Sequence, residues 1–205
     1  MSGFDKNVFV NCPFDDNYRQ LLLSVIFTVK YLGCNPRLSL ERSDSSETRI
    51  DKIVGLINES KFGIHDLSRI VSRVENEHYR MNMPFELGID YGCKRLKEGV
   101  WSEKQILILE KERYRYQRAL SDLSGSDIKN HDDDPQKIIR AVRDWFVATE
   151  SLRVDSGNKI WNLYNDFQAY LYDELVEKDG HESVDEVQIP EIIQHMSVWI
   201  EEFET

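Results

Sequence analysis

The chain lacks any apolar run near the roughly 18 residues that a membrane-spanning helix requires. It also begins without the charged segment and apolar stretch of a secretory signal. We therefore expect a cytoplasmic protein with no membrane contact. Cysteine is scarce, because Cys12, Cys34 and Cys93 are far apart and form no CxxC pair. Isolated cysteines in odd number indicate free thiols and argue against a disulfide framework or structural zinc.

Basic surface is lacking as well. Residues 151–205 contain 3 Lys and Arg against 13 Asp and Glu, a net charge of −10, whereas residues 1–150 carry only −1. Neither part offers the basic stripe by which proteins bind duplex nucleic acid. A small polyanion such as a nucleotide is still compatible with this composition, because backbone N–H groups and one or two arginines suffice to hold it.

Two phosphate-binding motifs are missing. The sequence contains no GxGxxG and no GxxxxGK[ST], which removes the main support for a dinucleotide-dependent dehydrogenase or a P-loop protein. The segment HDDD at 131–134 has the composition of a metal site, but acids before a proline-led helix are explained more simply by the helix dipole. We therefore predict neither a bound metal nor a cofactor.

Strand and helix patterns alternate over the first half of the chain. Apolar segments of alternating or β-branched character predict strands at 7–12, 37–41 and 105–110, and a strand that runs into a loop within 61–68. Helical patterns between them predict helices at 18–33, 47–59 and 84–97, the second opened by an Asp44–Glu47 capping box. This order predicts an α/β fold, namely a flavodoxin-like (Rossmann-like) parallel sheet of four to five strands with helices on both faces.

The remaining segments are predicted from composition. Residues 69–81 read as a long loop, residues 111–124 as a short helix, and GSDIKNHDDDP as a turn-rich connector before a helix at 136–149. Two acidic amphipathic helices are predicted at 155–178 and 190–204. We expect a nucleotide-binding core at 1–150 and an acidic helical extension at 151–205 that contacts a partner protein or a second copy.

Two carboxylates are the candidate catalytic residues. Ligands of parallel sheets lie beyond the carboxyl ends of the strands, and Asp66 ends the third predicted strand. It can accept hydrogen bonds from sugar hydroxyls, although an Asx turn explains it equally well. Glu86, in NMPFELG, lies near a helix N-terminus, where the dipole favours an anion. Glu86 either performs chemistry or only stabilises that turn, whereas His65 points away from Asp66 and is interpreted as a packing residue.

Further polar and aromatic side chains follow the predicted strands. After the first strand, Phe14 or Tyr18 can stack on a base and Asp15 or Asp16 can bind a base edge or hydroxyl, with Asn11 beside them, although the same residues suit a capped helix start. Before the second helix, Ser46 and Arg49 of SDSSETR can hold a phosphate, and a serine-rich cap is the alternative. Asn82 opens NMPFELG and completes the predicted substrate-binding set.

The order of a strand ending in HDLS, a loop, MPFELGIDYGCKR and the strand ILILE resembles the nucleoside 2-deoxyribosyltransferase family and the related Toll/interleukin-1 receptor-like (TIR-like) nucleotide hydrolases. The segment VFVNCPFDDNY is similar to the first-strand ligand loop of the TIR-like group, and the likeness covers about residues 7–110. It implies that Glu86 of FELG attacks or stabilises the anomeric carbon of a ribosyl group, with Asp66 as the upstream acid.

Three functions are consistent with these features. The first is cleavage of an N-glycosidic bond, or ribosyl transfer, on a nucleoside or nucleotide such as NAD, in a bacterial defence effector. The second is a non-catalytic module that senses a nucleotide, in which Glu86 only reads ribose hydroxyls. The third is an assembly protein that forms homo-oligomers through its acidic C-terminal helices.

Overall fold

The computed structural model describes residues 3–41, 44–70 and 81–203. Its centre is a five-stranded sheet in the order β2-β1-β3-β4-β5, in which every neighbouring pair runs parallel. The strands are β1 Asn7–Asn11, β2 Asn35–Arg37, β3 Phe62–Asp66, β4 Gln105–Glu110 and β5 Lys129–Asn130. The predicted flavodoxin-like α/β fold is confirmed. The strand order reverses between β1 and β3. Folds of this kind bind ligands at such a switch point.

Helices cover both faces of the sheet. They are α1 Arg19–Tyr31, α2 Arg49–Asn58, α3 Asn82–Leu96, α4 Pro135–Glu150, α5 Gly157–Tyr172 and α6 Ile189–Phe203. Helices α1 and α4 pack together with α5 and α6 in the main hydrophobic cluster, whereas α2 and α3 form a smaller cluster with Phe9 on the other face. Val8 and Val10 belong to the first cluster, so the side chains of β1 alternate between faces as a two-residue period requires.

Several predicted boundaries are wrong. The second strand is Asn35–Arg37 and not 37–41, and it contains Pro36 because it is an edge strand that need not donate every ladder hydrogen bond. The short strand β5 lies inside the segment that we predicted to be a turn-rich connector. Two short 3₁₀ turns replace the helix predicted at 111–124. Of the loop predicted at 69–81, the stretch 71–80 lies outside the described residues.

The caps of two helices explain where they begin. Helix α2 begins after Thr48, whose Oγ1 accepts a hydrogen bond from the backbone N–H of Asp51 at 3.2 Å. The predicted Asp44–Glu47 box is therefore wrong, and Asp44 instead accepts the backbone N–H of Ser46 at 2.8 Å in a preceding turn. Helix α4 is capped by Asp134 and has Pro135 in its first turn, as the sequence predicts.

The C-terminal helices pack against α1. The ring of Phe27 on α1 lies 5.6 Å from that of Phe167 on α5 and 5.9 Å from that of Trp199 on α6. The apolar face predicted for α5 is buried at Ile160, Leu163, Tyr164, Phe167, Leu171 and Leu175. Removing residues 151–205 would therefore expose one side of α1, so the division at residue 150 stays a prediction. No helix in the described part of the chain has the length and apolar character to cross a membrane.

Gly63 on β3 gives a direct test of the packing under α3. A Cβ at this position would lie 2.2 Å from Asp90 Oδ2 and 2.9 Å from His65 Nε2, and both of those side chains are fully buried. We expect Gly63→Ala to lower the free energy of unfolding by about 1–3 kcal/mol or more, because these groups have no space to retreat.

The matched control is Gly88→Ala on the exposed face of α3, where the added carbon has no described atom within 4 Å apart from its chain neighbours and the backbone of its own helix. It should leave stability unchanged or raise it by up to about 1 kcal/mol, since alanine favours helix. Urea unfolding of both variants makes the comparison. Equal midpoints would contradict the close approach of α3 to β3.

Candidate functional site

A cavity of about 330 Å³ opens at the switch point between β1 and β3. Its walls come from the loop after β1, the segment after β3 and the first turns of α2 and α3, and they comprise Pro13, Phe14, Asp15, Arg49, Arg69, Asn82 and Met83. This is the crevice beyond the carboxyl ends of β1 and β3, the expected ligand position in a doubly wound sheet. Because two arginines and the start of α3 face it, the cavity suits an anion.

Both arginines of the cavity are paired with carboxylates. Arg69 forms a bidentate pair with Asp15, with Nε 3.2 Å from Oδ2 and Nη2 3.1 Å from Oδ1. Arg49 Nη2 donates to Glu86 Oε1 at 3.1 Å. The third nitrogen of Arg69, Nη1, is buried without a hydrogen-bond partner among the described residues. An anion entering the cavity must therefore compete with Asp15 for Arg69 and with Glu86 for Arg49.

Glu86 lies behind Arg49. Its side chain is only 5% exposed, whereas that of Arg49 is 54% exposed. Burial raises the pKa of Glu86 above its usual value, and the hydrogen bond and charge of Arg49, together with the charge of His65, offset only part of that rise. An exposed arginine can swing toward a ligand at little cost, whereas the carboxylate is fixed in α3. Movement of Arg49 would leave the buried carboxylate of Glu86 without its cation, next to the cavity.

A buried polar chain fixes the first turn of α3. Asn11 Nδ2 donates to the carbonyl oxygen of Met83 and lies 3.0 Å from His65 Nδ1. His65 Nε2 lies 2.9 Å from Asp90 Oδ2, and Asp90 Oδ1 pairs with Lys104 Nζ at 3.0 Å. Burial acts to raise the pKa of Asp90, but His65 and Lys104 outweigh it and hold that pKa below its usual value. These contacts make His65 a packing residue that positions the cavity wall.

Asp66 is the centre of a second buried network. Its Oδ2 accepts a hydrogen bond from the Tyr18 hydroxyl at 2.6 Å and lies 2.9 Å from His131 Nε2, while Oδ1 accepts the backbone N–H of Ser68 at 2.7 Å. Burial acts to raise the pKa of Asp66, but His131, Ser68 and Tyr18 outweigh it and hold that pKa below its usual value. The network ties together the segments after β1, β3 and β5. The catalytic role of Asp66 stays a prediction.

The structure brings only part of the predicted site together. Four predicted residues line the cavity and a fifth is bonded to one of them: Phe14, Asp15, Arg49, Asn82 and Glu86. Three others are buried beneath it and do not line it: Asn11, Tyr18 and Asp66. Two lie apart from it, because Asp16 lines a neighbouring cavity and Ser46 is exposed in a turn with Asp44. Of the two aromatic residues proposed to stack on a base, only Phe14 faces the cavity.

Sequence reasoning missed two residues of this region. Arg69 follows HDLS in a loop at the carboxyl end of β3, and that position was the one available signal for it. His131 was considered only as part of a metal cluster, whereas the structure pairs it with Asp66. Within residues 3–41, 44–70 and 81–203, no group of three or more His, Cys, Asp or Glu side chains is placed to hold a metal ion.

No protein-family model matches the chain, and neither does a curated protein or a solved structure.

Proposed function

We propose that this chain binds the phosphate of a nucleotide between Arg49 and Arg69 and cleaves or transfers its N-glycosidic bond with the help of Glu86. One observation carries the proposal. The buried carboxylate of Glu86 accepts a hydrogen bond from Arg49, which lines the cavity at the switch point between β1 and β3. The resemblance of FELG to the deoxyribosyltransferase and TIR-like elements supports the same role.

The reaction needs a fixed negative charge beside the sugar. As the C1′–N bond breaks, its electron pair leaves with the base and the ribosyl carbon becomes oxocarbenium-like. Glu86 stabilises that cation or forms a ribosyl-enzyme with it, and water or a second base then completes hydrolysis or transfer. A cationic leaving group such as nicotinamide departs without a proton donor, whereas a neutral purine requires one.

The ion pair of Arg49 and Glu86 explains how the negative charge of Glu86 becomes available in the transition state. A ligand phosphate competes for Arg49, because arginine pairs with phosphate as it does with carboxylate. Glu86 is then left buried without its cation, which is unfavourable in the ground state. The cationic sugar of the transition state replaces the missing countercharge, so the interaction is stronger there than in the bound substrate.

One observation favours a second candidate, a nucleotide-sensing module without turnover. Glu86 is bonded to Arg49 and is not itself among the residues that line the cavity. In that case Glu86 serves to orient Arg49 toward a bound phosphate. Action as a bacterial defence effector, a cytoplasmic location and assembly through the acidic helices stay predictions under either candidate.

A turnover assay separates the two candidates. The purified full chain is incubated with NAD and, separately, with deoxynucleoside monophosphates at several protein concentrations, and free base is measured by chromatography. Calorimetry on the same samples measures binding. Base release supports the enzyme, and binding without release supports the sensor. Absence of both at every concentration would overturn the proposed nucleotide function.

Arg49→Gln tests the anion site independently of chemistry. We expect the affinity for AMP and for inorganic pyrophosphate to fall about 10-fold or more, because a charge-assisted hydrogen bond contributes about 1.5–3 kcal/mol. Arg95→Gln, on the exposed C-terminal part of α3, is the matched control and should change neither affinity. Calorimetric titration provides the measurement. Unchanged affinity in Arg49→Gln would place the anion elsewhere.

A further inference from the structure

A second cavity of about 190 Å³ adjoins the arginine-lined cavity. The two share Phe14 and Asp15 in their walls, and both lie beyond the carboxyl end of β1. The second cavity is lined by none of Arg49, Asn82 or Met83, so the two cavities have only Phe14 and Asp15 in common. A ligand that occupies both cavities must therefore pass over Phe14.

The far wall of the second cavity belongs to the C-terminal part of the chain. Arg19 at the start of α1 donates from Nη2 to the carbonyl oxygens of Val184 at 3.0 Å and Val187 at 2.6 Å, and its Nε lies 3.2 Å from Asp185 Oδ1. The side chain of Arg19 is only 16% exposed. Three contacts from a largely buried guanidinium fix residues 184–187 against α1, so this wall is built into the fold.

The lining of the second cavity has the character of a site for a ring. Apolar side chains from three segments of the chain contribute Leu22, Leu40, Val187 and Ile189. Gln188 adds an amide that can donate and accept hydrogen bonds. The charge of Arg19 is already engaged by the turn it holds, and three carboxylates on the walls (Asp15, Asp16 and Asp185) disfavour a second anion. Apolar walls with a few polar groups are typical of sites for flat heterocycles.

We propose that this second cavity holds a planar, uncharged ring, such as a nucleobase, of the same ligand whose anionic group binds Arg49 and Arg69. Phe14 stacks on the ring and Gln188 reads its polar edge. Because Arg49, to which Glu86 is hydrogen-bonded, does not line the second cavity, the ring is a recognition group and not the base that leaves. The proposal rests on the anion site of the proposed function but not on catalysis, and it makes Asp185 and residues 187–189 part of the ligand site.

Filling the second cavity tests this proposal. Leu40 is 41% exposed at its edge, so Leu40→Trp should fold and occupy the space of the ring. The control is Val54→Trp on α2, which is 37% exposed and lines neither cavity. The probes are AMP and ribose 5-phosphate, which share the anion and differ in the ring. Calorimetry measures both affinities for the parent chain and for each variant.

We expect the parent chain to bind AMP at least about 10-fold more tightly than ribose 5-phosphate, since burial of the apolar ring and its contact with Phe14 both favour binding. Leu40→Trp should remove this difference by weakening AMP alone, whereas Arg49→Gln should weaken both ligands. Gln188→Leu, a second variant on an exposed side chain, should weaken AMP by about 2–10-fold through one lost hydrogen bond.

Equal affinities of the parent chain for AMP and ribose 5-phosphate would overturn the ring site, as would unchanged AMP affinity in both Leu40→Trp and Gln188→Leu. The two proposals fail separately. Absence of base release together with the expected binding pattern retains the ring site and rejects the glycosidase. Base release together with equal affinities for AMP and ribose 5-phosphate retains the glycosidase and rejects the ring site.

Discussion

Replacing Glu86 with glutamine is expected to slow the release of free base about 100-fold or more, which is the usual cost of removing one group that stabilises the charge of a transition state. Glutamine keeps the shape of the side chain and can still accept a hydrogen bond from Arg49, but it carries no negative charge to face the oxocarbenium-like carbon. Nucleotide affinity should change only a few-fold, because Glu86 lies behind the residues that line the cavity.

The measurement is single-turnover base release by the parent chain, by Glu86→Gln and by Glu98→Gln, whose glutamate is exposed beyond the end of α3 and serves as the control. Glu98→Gln should retain full activity. Equal rates for all three chains would exclude Glu86 as the catalytic carboxylate. Unchanged release with weaker binding in Glu86→Gln would instead assign it a role in positioning Arg49.

The pH dependence of stability is expected to separate this loss of activity from unfolding. Because burial raises the pKa of Glu86, the folded chain binds its proton more tightly than the unfolded chain does. The stability due to this residue is therefore greatest at low pH and falls as pH rises through the raised pKa. At pH 7 Glu86→Gln should be as stable as the parent chain, or more stable by up to about 1 kcal/mol. Thermal unfolding at pH 5 and pH 7 checks the sign.

Asp66→Ala should have the largest effect on stability, a loss of about 3–5 kcal/mol in the free energy of unfolding, as is typical when one member of a buried charged pair is removed. The substitution leaves Tyr18, His131 and the backbone N–H of Ser68 without their shared acceptor in a fully buried site. In a chain of this length that loss corresponds to a melting temperature lower by about 6–20 °C. Asp16→Ala, exposed in the loop after β1 that carries Tyr18, should change stability by less than about 0.5 kcal/mol.

Acid titration adds a second signature of Asp66. The folded-state pKa of this residue is depressed, so its contribution is complete above the unfolded-state value of about 4 and is lost as pH falls through the folded-state value. The stability difference between the parent chain and Asp66→Ala should therefore shrink in acid and stay constant near neutrality. A variant that keeps its melting temperature but loses base release would instead support the catalytic role predicted from the sequence.

The sequence was sufficient for the fold because its signals are local. The alternation of β-branched strands with helices and the proline at the start of α4 both depend on neighbouring residues. The rule that ligands lie at the carboxyl ends of parallel strands then led to Phe14, Asp15, Arg49 and Asn82 without knowledge of any contact. Strand β2 was misplaced and strand β5 was missed. They have three and two residues, which is too short to show an alternating pattern.

Tertiary packing decided the roles within the site. Arg49 and Glu86 are 37 residues apart, Tyr18 and Asp66 are 48 apart, and no local pattern records either pair. Asp66 and Tyr18 have the composition of ligand-binding residues, but the packing of three loops buries them against His131. The acidic C-terminal segment looked separate by charge, yet its apolar face packs on α1 and its turn at 184–187 is held by Arg19. Composition and spacing determined which residues lie near the carboxyl ends of the strands. Burial and charge pairing between distant segments determined which of them face the cavity.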